Sequence, residues 1–340
     1  MLSRNNGCRW MEFTWNGLTS VIMENDLIRM EILVDKGTDI VEFLYKPKDL
    51  DFMWRSPIPF YKPSSFVVTA QGKAGNFLDY YPGGWQEIFP NAGSGCEYKN
   101  AVLGVHGEVS LIPWKFRVIE DWEDKIALMF STETYRTPFS IEKTITLEKN
   151  SPVVTIDEKI TNLGEEEMDF IWGHHPAFGK PFISPDSIIK IKKATMRIAR
   201  GDSKSISVLK QKTTEWPMAE GNDGKEFDMR ICPSEKDKVS DMIFLSELQE
   251  GRYDILNTKS KVGFFMEFPL SVFKYIWFWR VARGSYNYPW YGRTYNIALE
   301  PFSSLPLLSE AVKRKDQLKL DAGECLRATI KAGVTEGDSA

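Results

Sequence analysis

The stretch FSIEKTITLEKNSPVVTIDEKIT, residues 139–161, alternates apolar and polar side chains with a period of two. In its first half, Ile141, Ile145 and Leu147 fall on one side, with serine, threonine and glutamate side chains on the other. A period of two is typical of strands that bury one face, and the polar, proline-containing residues 150–152 indicate a turn. The stretch is therefore interpreted as a long antiparallel hairpin with polar exposed faces.

The same period recurs along most of the chain. Further strand-like runs are found at residues 27–34, 40–45, 111–119, 126–131, 188–191, 262–268, 273–282 and 295–299. Only one short helix is predicted, at residues 308–314, and the polar residues 210–225 are predicted to form a long loop. Because helices do not follow the strands in turn, a doubly wound α/β sheet is not expected, and many short strands predict an all-β sandwich or barrel.

The chain has the length and composition of one large globular unit. It has 340 residues, of which 42% are hydrophobic and 26% charged. These fractions are those of an ordinary folded protein, and all-β domains of this size are known. Since no convincing linker interrupts the pattern, a single domain over residues 1–340 is predicted, with a core at about 20–332 and a flexible tail at 333–340.

Charge and cysteine content limit the classes of partner. With 43 lysines and arginines against 47 aspartates and glutamates, the net charge is -4, which argues against nucleic acid or an anionic membrane as the partner. The sequence has no run of 18 apolar residues and no signal-like start. The cysteines form no CxxC element, which predicts reduced thiols in a cytoplasmic protein; they are Cys8, Cys96, Cys232 and Cys325. A monomer or a homodimer is expected.

Three short motifs could carry acid–base chemistry. The only histidines are His106, in GVHGE at residues 104–108, and the pair His174 and His175, in WGHHPAF at residues 172–178. Histidine gives or takes a proton near neutral pH because its unperturbed pKa is about 6.5. A third motif, NIALEPF at residues 296–302, ends an apolar strand on Glu300, where a buried carboxylate is costly unless it has a partner or a function.

Aromatic and amide side chains suggest a carbohydrate ligand. The loop YPGGWQEIFPNAG, residues 81–93, contains Trp85, Gln86 and Asn91 among glycines and prolines. Flat apolar faces can stack on a sugar ring, and amides can bind its hydroxyl groups. The strand at 273–282 adds a row of aromatic residues, of which Trp279 is predicted to form the floor of the site.

Taken together, the motifs VHG (105–107), HPAF (175–178) and LEP (299–301) resemble those of the aldose 1-epimerase (galactose mutarotase-like) family, in the same order. The resemblance extends from about residue 27 to about residue 332. It implies a β-supersandwich, a fold of large antiparallel sheets with very little helix, in which a sugar binds in an open cleft.

The resemblance also implies a reaction. His175 would act as the general acid on the ring oxygen, Glu300 as the general base on the anomeric hydroxyl, and His106 would form a hydrogen bond near both atoms. The α and β anomers of a hexose or modified hexose would interconvert without a cofactor, and the sequence has no dinucleotide or P-loop motif. The resting enzyme is expected to hold a protonated histidine and an ionised glutamate.

Some family positions are altered. Asn91 occupies the place of an asparagine that an arginine normally follows, but here Ala92 follows it. Asp228 loosely matches an aspartate that binds a sugar hydroxyl, and His174 is included among the candidate substrate contacts. These changes affect substrate contacts rather than the proton-transfer pair, so the reaction is better defined than the sugar.

Three other interpretations are open. A noncatalytic carbohydrate-binding or sensing protein would keep the aromatic and amide contacts. A glycoside hydrolase or lyase would need a second carboxylate beside Glu300, for which Glu87 and Glu108 are candidates. A metal site built from both histidine motifs is disfavoured because adjacent residues on a strand point to opposite faces, and no metal is predicted.

Overall fold

A computed structural model describes residues 4–60, 62, 77–199 and 205–337. In the first half, the strands are β1 Arg9–Trp15, β2 Leu18–Glu24, β3 Ile28–Leu33, β4 Asp39–Tyr45, β5 Leu50–Asp51, β6 Trp85–Ile88, β7 Cys96–Tyr98, β8 Ala101–Leu103, β9 Lys115–Asp121, β10 Lys125–Glu133, β11 Phe139–Glu148, β12 Val153–Asn162 and β13 Met168–Phe170.

In the second half, the strands are β14 Gly173–Phe178, β15 Ser187–Lys190, β16 Thr195–Ile198, β17 Thr213–Glu215, β18 Met218–Glu220, β19 Glu226–Asp228, β20 Val239–Ser246, β21 Arg252–Asn257, β22 Val262–Glu267, β23 Tyr275–Ala282, β24 Tyr295–Phe302, β25 Leu318–Leu320 and β26 Cys325–Glu336. One α-helix, α1, spans Leu308–Arg314. Within the described residues, three short 3-10 helices lie at Lys46–Lys48, Leu78–Tyr80 and Glu235–Asp237.

Two large antiparallel sheets dominate the described chain. The first has 12 strands, in the order β1-β2-β3-β4-β6-β14-β24-β23-β20-β16-β17, with β5 paired to β4. The second has eight strands, in the order β15-β21-β22-β26-β12-β11-β10-β9. The predicted all-β class with very little helix is therefore confirmed. Strands that are distant in sequence, such as β6, β14 and β24, are neighbours in the first sheet, and this pairing builds the candidate site.

The hairpin at residues 139–161 forms β11 and β12. Buried and partly exposed residues alternate along both strands, as the period of two predicts. Ile141 lies opposite Ile160, and Ile145 lies opposite Ile156, so the apolar residues of the two strands share one buried face. The helix at Leu308–Arg314 also lies where the sequence predicts it.

Other predicted boundaries need correction. The predicted loop at 210–225 contains the short strands β17 and β18, which pair with β16 and β19 despite their polar composition. The predicted strand at 111–119 begins only at Lys115, after Pro113, which has no backbone N–H to contribute to a strand ladder.

The predicted flexible tail also differs from the structure. Residues 333–336 belong to β26, where Gly333 pairs with both Val153 and Phe265. An added Cβ at Gly333 would lie 2.5 Å from the Pro152 carbonyl oxygen, so a glycine allows the close approach of these strands. Residues 338–340 lie outside the described residues.

A core rich in aromatic side chains joins the two sheets. Phe264 of the eight-stranded sheet lies 5.4 Å from Phe43 and 4.8 Å from Phe178 of the 12-stranded sheet, between ring centroids. All three side chains are fully buried. In the described part of the chain, no helix is long and apolar enough to cross a membrane.

Candidate active site

A row of side chains crosses the 12-stranded sheet and forms the base of the candidate site. The register between β14 and β24 places His175 opposite Glu300, and Glu300 lies opposite Trp277 of β23. Trp277 in turn lies opposite Phe244 of β20. Because directly opposed residues in antiparallel strands point to the same face, these four side chains face the same way.

This face opens into a cavity of about 830 Å³. Aromatic side chains form much of its wall, namely Phe77, Tyr81, Trp277, Trp279, Tyr288 and Trp290. His106, His175 and Glu300 provide titratable groups, and Ser205, Ser240 and Ser285 provide hydroxyl groups. A mostly apolar wall with a few convergent polar groups is typical of a site for a small molecule. The predicted residues His106, His175, Glu300 and Trp279 thus share one cavity.

His175 and Glu300 form a buried acid–base pair. The Nε2 atom of His175 lies 3.5 Å from Oε1 of Glu300, and the two side chains are 6% and 2% exposed. Burial raises the pKa of Glu300 well above its ordinary value and lowers the pKa of His175 to about 4. Both shifts favour a neutral pair, in which Glu300 holds the proton and His175 is uncharged.

This protonation is the reverse of the expected resting state, in which the histidine is protonated and the glutamate ionised. The physical reason is desolvation, because the cost of burying two charges exceeds what their attraction recovers at 3.5 Å. One acid and one base are still present, since the single proton is shared by the two side chains.

His106 lies on a tight turn beside this pair. Its φ is +57°, and the following Gly107 has a φ of +72°. The His106 Nδ1 accepts a hydrogen bond from the Gly93 backbone N–H at 3.3 Å, so the ring proton of the neutral side chain lies on Nε2. Burial, with a further contribution from His175, holds the pKa of His106 well below its ordinary value. His106 is therefore a neutral hydrogen-bond donor whose ring centroid lies 5.4 Å from that of His175.

His174 points to the opposite side of β14, away from the cavity. The Trp85 indole donates to its Nδ1 at 3.1 Å, and its Nε2 lies 3.0 Å from Oε2 of Glu158. Burial and the nearby Glu87 raise the pKa of Glu158 to about 7. The structure does not support a substrate contact for His174 or Trp85, because consecutive strand residues alternate between the two faces.

The group on that opposite face has the composition of a metal site but not the required lone pairs. Atoms of Glu87, Glu158 and His174 lie within 4.8 Å of one another. An indole nitrogen can only donate, so Nδ1 of His174 must accept and the proton of the neutral ring must lie on Nε2, facing Glu158. Lys143 already places a positive charge 2.8 Å from Glu87. The observed hydrogen bonds therefore leave no free ring nitrogen for a metal.

Asn91 has a structural position in the loop rather than a place on the cavity wall. Its Nδ2 donates to the carbonyls of Ser94 and Gly104, at 2.8 and 2.9 Å. Its Oδ1 accepts from the backbone N–H of Leu308 at the start of α1, at 2.9 Å. The predicted substrate contact is not supported, because these backbone groups occupy both ends of the amide.

Gln86 lies opposite His175 but is fully buried and does not line the cavity. Its Nε2 donates to Oδ2 of Asp39 at 3.0 Å and to the Gly83 carbonyl at 2.6 Å. Asp39 is in turn paired with the buried Lys36. Gln86 therefore belongs to a polar network inside the sheet, and the predicted substrate contact is not supported.

Asp228 and Asp241 both bind other side chains of the protein. Asp228 lies in β19 and forms an ion pair with Arg230 at 2.6 Å, away from the cavity. Asp241 reaches the cavity wall, but Arg280 binds its Oδ2 at 2.5 Å and Ser207 donates to its Oδ1 at 2.6 Å. The match of Asp228 to a family aspartate is not supported.

The candidate carboxylates of a hydrolase are also engaged elsewhere. Glu87 lies on the opposite face of the sheet with Lys143, and Glu108 accepts the backbone N–H groups of Tyr135 and Arg136, at 3.0 and 3.1 Å. In the described chain, neither of them lines the cavity with Glu300.

Tyr81 is a site residue that the sequence analysis did not select. Its hydroxyl lies 3.2 Å from Nδ1 of His175, and its side chain is 1% exposed. It begins the quoted loop at 81–93, directly before Pro82, so the motif contains it.

The period of two also places Trp277 on the face of Trp279, and both line the cavity.

Comparison with known proteins adds the fold relationship. A candidate aldose 1-epimerase from Klebsiella pneumoniae superposes with a TM-score of 0.76 at 10% identity, covering 98% of this chain and 88% of the other. A galactose mutarotase-like protein from Clostridium acetobutylicum superposes with a TM-score of 0.64 at 16% identity, covering 97% of this chain and 99% of the other. A galactose mutarotase-like protein from Lactobacillus casei superposes with a TM-score of 0.60 at 16% identity, covering 93% of this chain and 100% of the other. At these identities the likeness establishes the fold alone.

Sequence comparison identifies the family. No curated protein matches the chain. The profile of a family described as a domain of unknown function, DUF4432, matches residues 16–334, which include all three histidines and Glu300. The chain therefore belongs to the DUF4432 family and has the galactose mutarotase-like fold.

Proposed function

We propose that the protein is an aldose 1-epimerase that interconverts the α and β anomers of a hexose or modified hexose. The observation that carries the proposal is the His175–Glu300 pair, whose reactive atoms lie 3.5 Å apart in a cavity with an aromatic wall. His106 supports it as a neutral donor beside the pair. The fold neighbours named for aldose 1-epimerase and galactose mutarotase agree with the proposal.

The reaction needs one proton removed and one delivered. In ring opening, a base takes the anomeric hydroxyl proton, the C1–O5 bond breaks, and an acid protonates O5. Rotation about C1–C2 and the reverse steps give the other anomer. Positioned acids and bases each contribute roughly 10²- to 10⁴-fold to such rates.

A shared proton suits this symmetric reaction. We propose that the sugar hydroxyls stabilise the ionised form of Glu300 in the complex, so that the proton moves to Nε2 of His175. Glu300 then acts as the base and His175 as the acid, and ring closure returns both protons. His106 donates to a sugar oxygen near the anomeric carbon through Nε2–H. No change of oxidation state occurs, so the reaction calls for no redox cofactor.

Location and partners follow from the same proposal. The four cysteines are free thiols, which suits a reducing compartment, and we propose a cytoplasmic enzyme of carbohydrate metabolism. Its partner would be a small-molecule sugar rather than nucleic acid or a membrane, and it would act as a monomer or a homodimer.

Anomer exchange tests the proposal. NMR saturation transfer would measure exchange on glucose, galactose and their 6-phosphates. We expect the wild type to exceed buffer on at least one sugar, and Glu300→Gln and His175→Asn each to lower the rate by at least about 100-fold. Asp228→Asn is the matched control, because it makes the same carboxylate-to-amide change outside the cavity and should retain the wild-type rate.

Two outcomes would contradict the proposal. Sugar binding without exchange above buffer, from folded protein, would favour the noncatalytic carbohydrate-binding alternative. Cleavage of a glycoside that is lost in Glu300→Gln would favour the hydrolase or lyase alternative.

A further inference from the structure

Tyr81 contacts the proposed acid from the side opposite to Glu300. Its hydroxyl lies 3.2 Å from Nδ1 of His175, whereas Glu300 lies 3.5 Å from Nε2. The Tyr81 ring packs edge-on against the imidazole, with centroids 5.3 Å apart, and stacks on Phe77 at 5.0 Å. The tyrosine is 1% exposed, so its hydroxyl is held in place by packing.

The position of one shared proton decides what Tyr81 does. Glu300 Oε1 and His175 Nε2, 3.5 Å apart, are close enough to exchange one proton. When that proton is on Glu300 and directed at Nε2, the neutral ring carries its own proton on Nδ1. If the proton has moved to His175, both ring nitrogens carry hydrogen. In both of these states Nδ1 carries a hydrogen, and the Tyr81 oxygen, 3.2 Å away, would accept from it, because a tyrosine hydroxyl can accept as well as donate.

We propose that Tyr81 is a positioning residue that holds His175 in the Nδ1–H tautomer, so that only Nε2 exchanges a proton with Glu300 and the sugar. This deepens the proposed function and rests on it for the catalytic effect, although the tautomer itself can be measured without any sugar. Fixing one ring nitrogen fixes the role of the other.

An uncharged hydroxyl beside a histidine ring affects the charge of the ring differently from a carboxylate. Burial, followed by the charges of Glu300 and Asp39, raises the pKa of Tyr81 well above its ordinary value, so the hydroxyl stays uncharged. The neighbouring His174 instead faces the carboxylate of Glu158 at 3.0 Å. A carboxylate favours the imidazolium, whereas Tyr81 orients His175 without stabilising a permanent charge on it.

Nitrogen-15 NMR reads the tautomer directly, and the chain has only three histidines to resolve. In wild-type protein near pH 7, we expect one ring with the Nδ1–H pattern, and this signal should be absent from His175→Asn. His106 should have the Nε2–H pattern because its Nδ1 accepts from Gly93. An Nε2–H pattern for His175 in the wild type would overturn the proposal, whether or not any variant folds.

The variant Tyr81→Phe removes only the hydroxyl. We expect the His175 signal to lose its single Nδ1–H pattern, and kcat for anomer exchange to fall by at least about 10-fold. Tyr253→Phe is the matched control, because Tyr253 is equally buried, bonds Met266 Sδ at 3.5 Å and does not line the cavity. It should change neither the tautomer nor kcat.

The readouts separate this inference from the proposed function. An unchanged tautomer and an unchanged kcat in folded Tyr81→Phe would overturn the positioning role. A fall in kcat with an unchanged tautomer would also overturn it, since the hydroxyl would then act on the sugar. If the wild type has the Nδ1–H tautomer but exchanges no sugar, the proposed function fails while the assigned hydrogen bond stands.

Discussion

Glu300 illustrates the conflict between stability and chemistry at a single residue. Its carboxyl group is buried at the end of an apolar strand, and its ionised form has lost its hydration. Groups with strongly shifted pKa values in a cavity are candidates for function because acid–base chemistry requires pKa values matched to its task. The same cost predicts how stability should change with pH.

Replacement of Glu300 by Gln should stabilise the protein increasingly as pH rises from 6.5 to 8.5. Because burial raises the folded-state pKa, the contribution of Glu300 is fully present below its ordinary value of 4.5 and is lost as pH rises toward the folded-state value. The Gln side chain does not titrate and has no such loss. The unfolding free energy of Glu300→Gln minus that of the wild type should therefore grow by up to about 1.4 kcal/mol per pH unit.

Urea unfolding at several pH values measures this difference. His175 does not interfere in the chosen window, since its lowered pKa of about 4 affects stability only between there and its ordinary value of 6.5. Parallel pH curves for the two proteins would contradict the predicted burial of an unionised Glu300.

The three motifs and their family resemblance predicted which candidate acid–base residues share the cavity, but most of the predicted sugar contacts do not line it. His106, His175 and Glu300 could be predicted as candidates because each lies in a short motif that keeps its order along the chain. From the sequence, Asn91 and Gln86 could not be distinguished from sugar-binding residues. A side-chain amide can donate to a buried backbone carbonyl, as both do here, as readily as it can donate to a sugar hydroxyl. Which partner an amide has depends on the packing of strands that are distant in sequence.

At the scale of elements, the turn at residues 104–108 positions His106 by close backbone packing. The Glu108 N–H donates to the Phe89 carbonyl at 3.0 Å, and Gly107 packs against the same carbonyl. An added Cβ at Gly107 would lie 2.1 Å from that oxygen. A glycine is therefore required both by this contact and by the positive φ.

Gly107→Ala should displace the turn and lower both stability and activity. We expect a loss of more than about 2 kcal/mol, because the backbone clash adds to the strain of the left-handed conformation. Gly17→Ala is the matched control, since Gly17 also has a positive φ of +75° but has nothing within 4 Å of its added Cβ. It should cost about 1 kcal/mol and leave anomer exchange unchanged.

Equilibrium unfolding and the exchange assay compare the two variants. If Gly107→Ala and Gly17→Ala lost the same stability, the close approach of Gly107 to the Phe89 carbonyl would add no cost to that of the positive φ. Full activity in a destabilised Gly107→Ala would mean that the turn does not fix His106.

Elements that bury one face could be predicted with good boundaries, whereas other elements could not. The hairpin β11–β12 matches its prediction because alternation is visible in the sequence. Strands β14 and β24 are buried at every position, so burial does not distinguish the cavity face from the opposite face. Strands β17 and β18 are three residues long each, which is too short for an alternating pattern to identify them.

At the scale of the whole molecule, the site depends on how the two sheets pack. The strands that carry His175 and Glu300 belong to the 12-stranded sheet, and the eight-stranded sheet covers part of that sheet. Phe178, three residues after His175, contacts Phe264 across the interface. The sequence predicts an all-β sandwich or barrel but not which strands meet, because pairing between distant strands leaves no local pattern.

Phe264→Ala should therefore lower the stability of both sheets together. Phe264 is fully buried and its ring lies 5.4, 5.5 and 4.8 Å from those of Phe43, Phe52 and Phe178. Loss of a large core side chain costs about 3–5 kcal/mol through lost contacts and the cavity left behind. We expect the tryptophan fluorescence and far-UV circular dichroism transitions to move by the same amount, as one cooperative unit requires.

A neighbouring phenylalanine on the same strand gives the matched comparison. Phe265 points to the other face of β22, where the Arg252 guanidinium lies 4.4 Å from its ring centroid. Phe265→Ala should cost clearly less, because it opens no gap between the sheets. If Phe264→Ala separated the two transitions, with the 12-stranded sheet retaining its stability, the sheets would be independent units. The acid–base pair would then be held by one sheet alone, and the row from His175 to Phe244 would be sufficient to form the site.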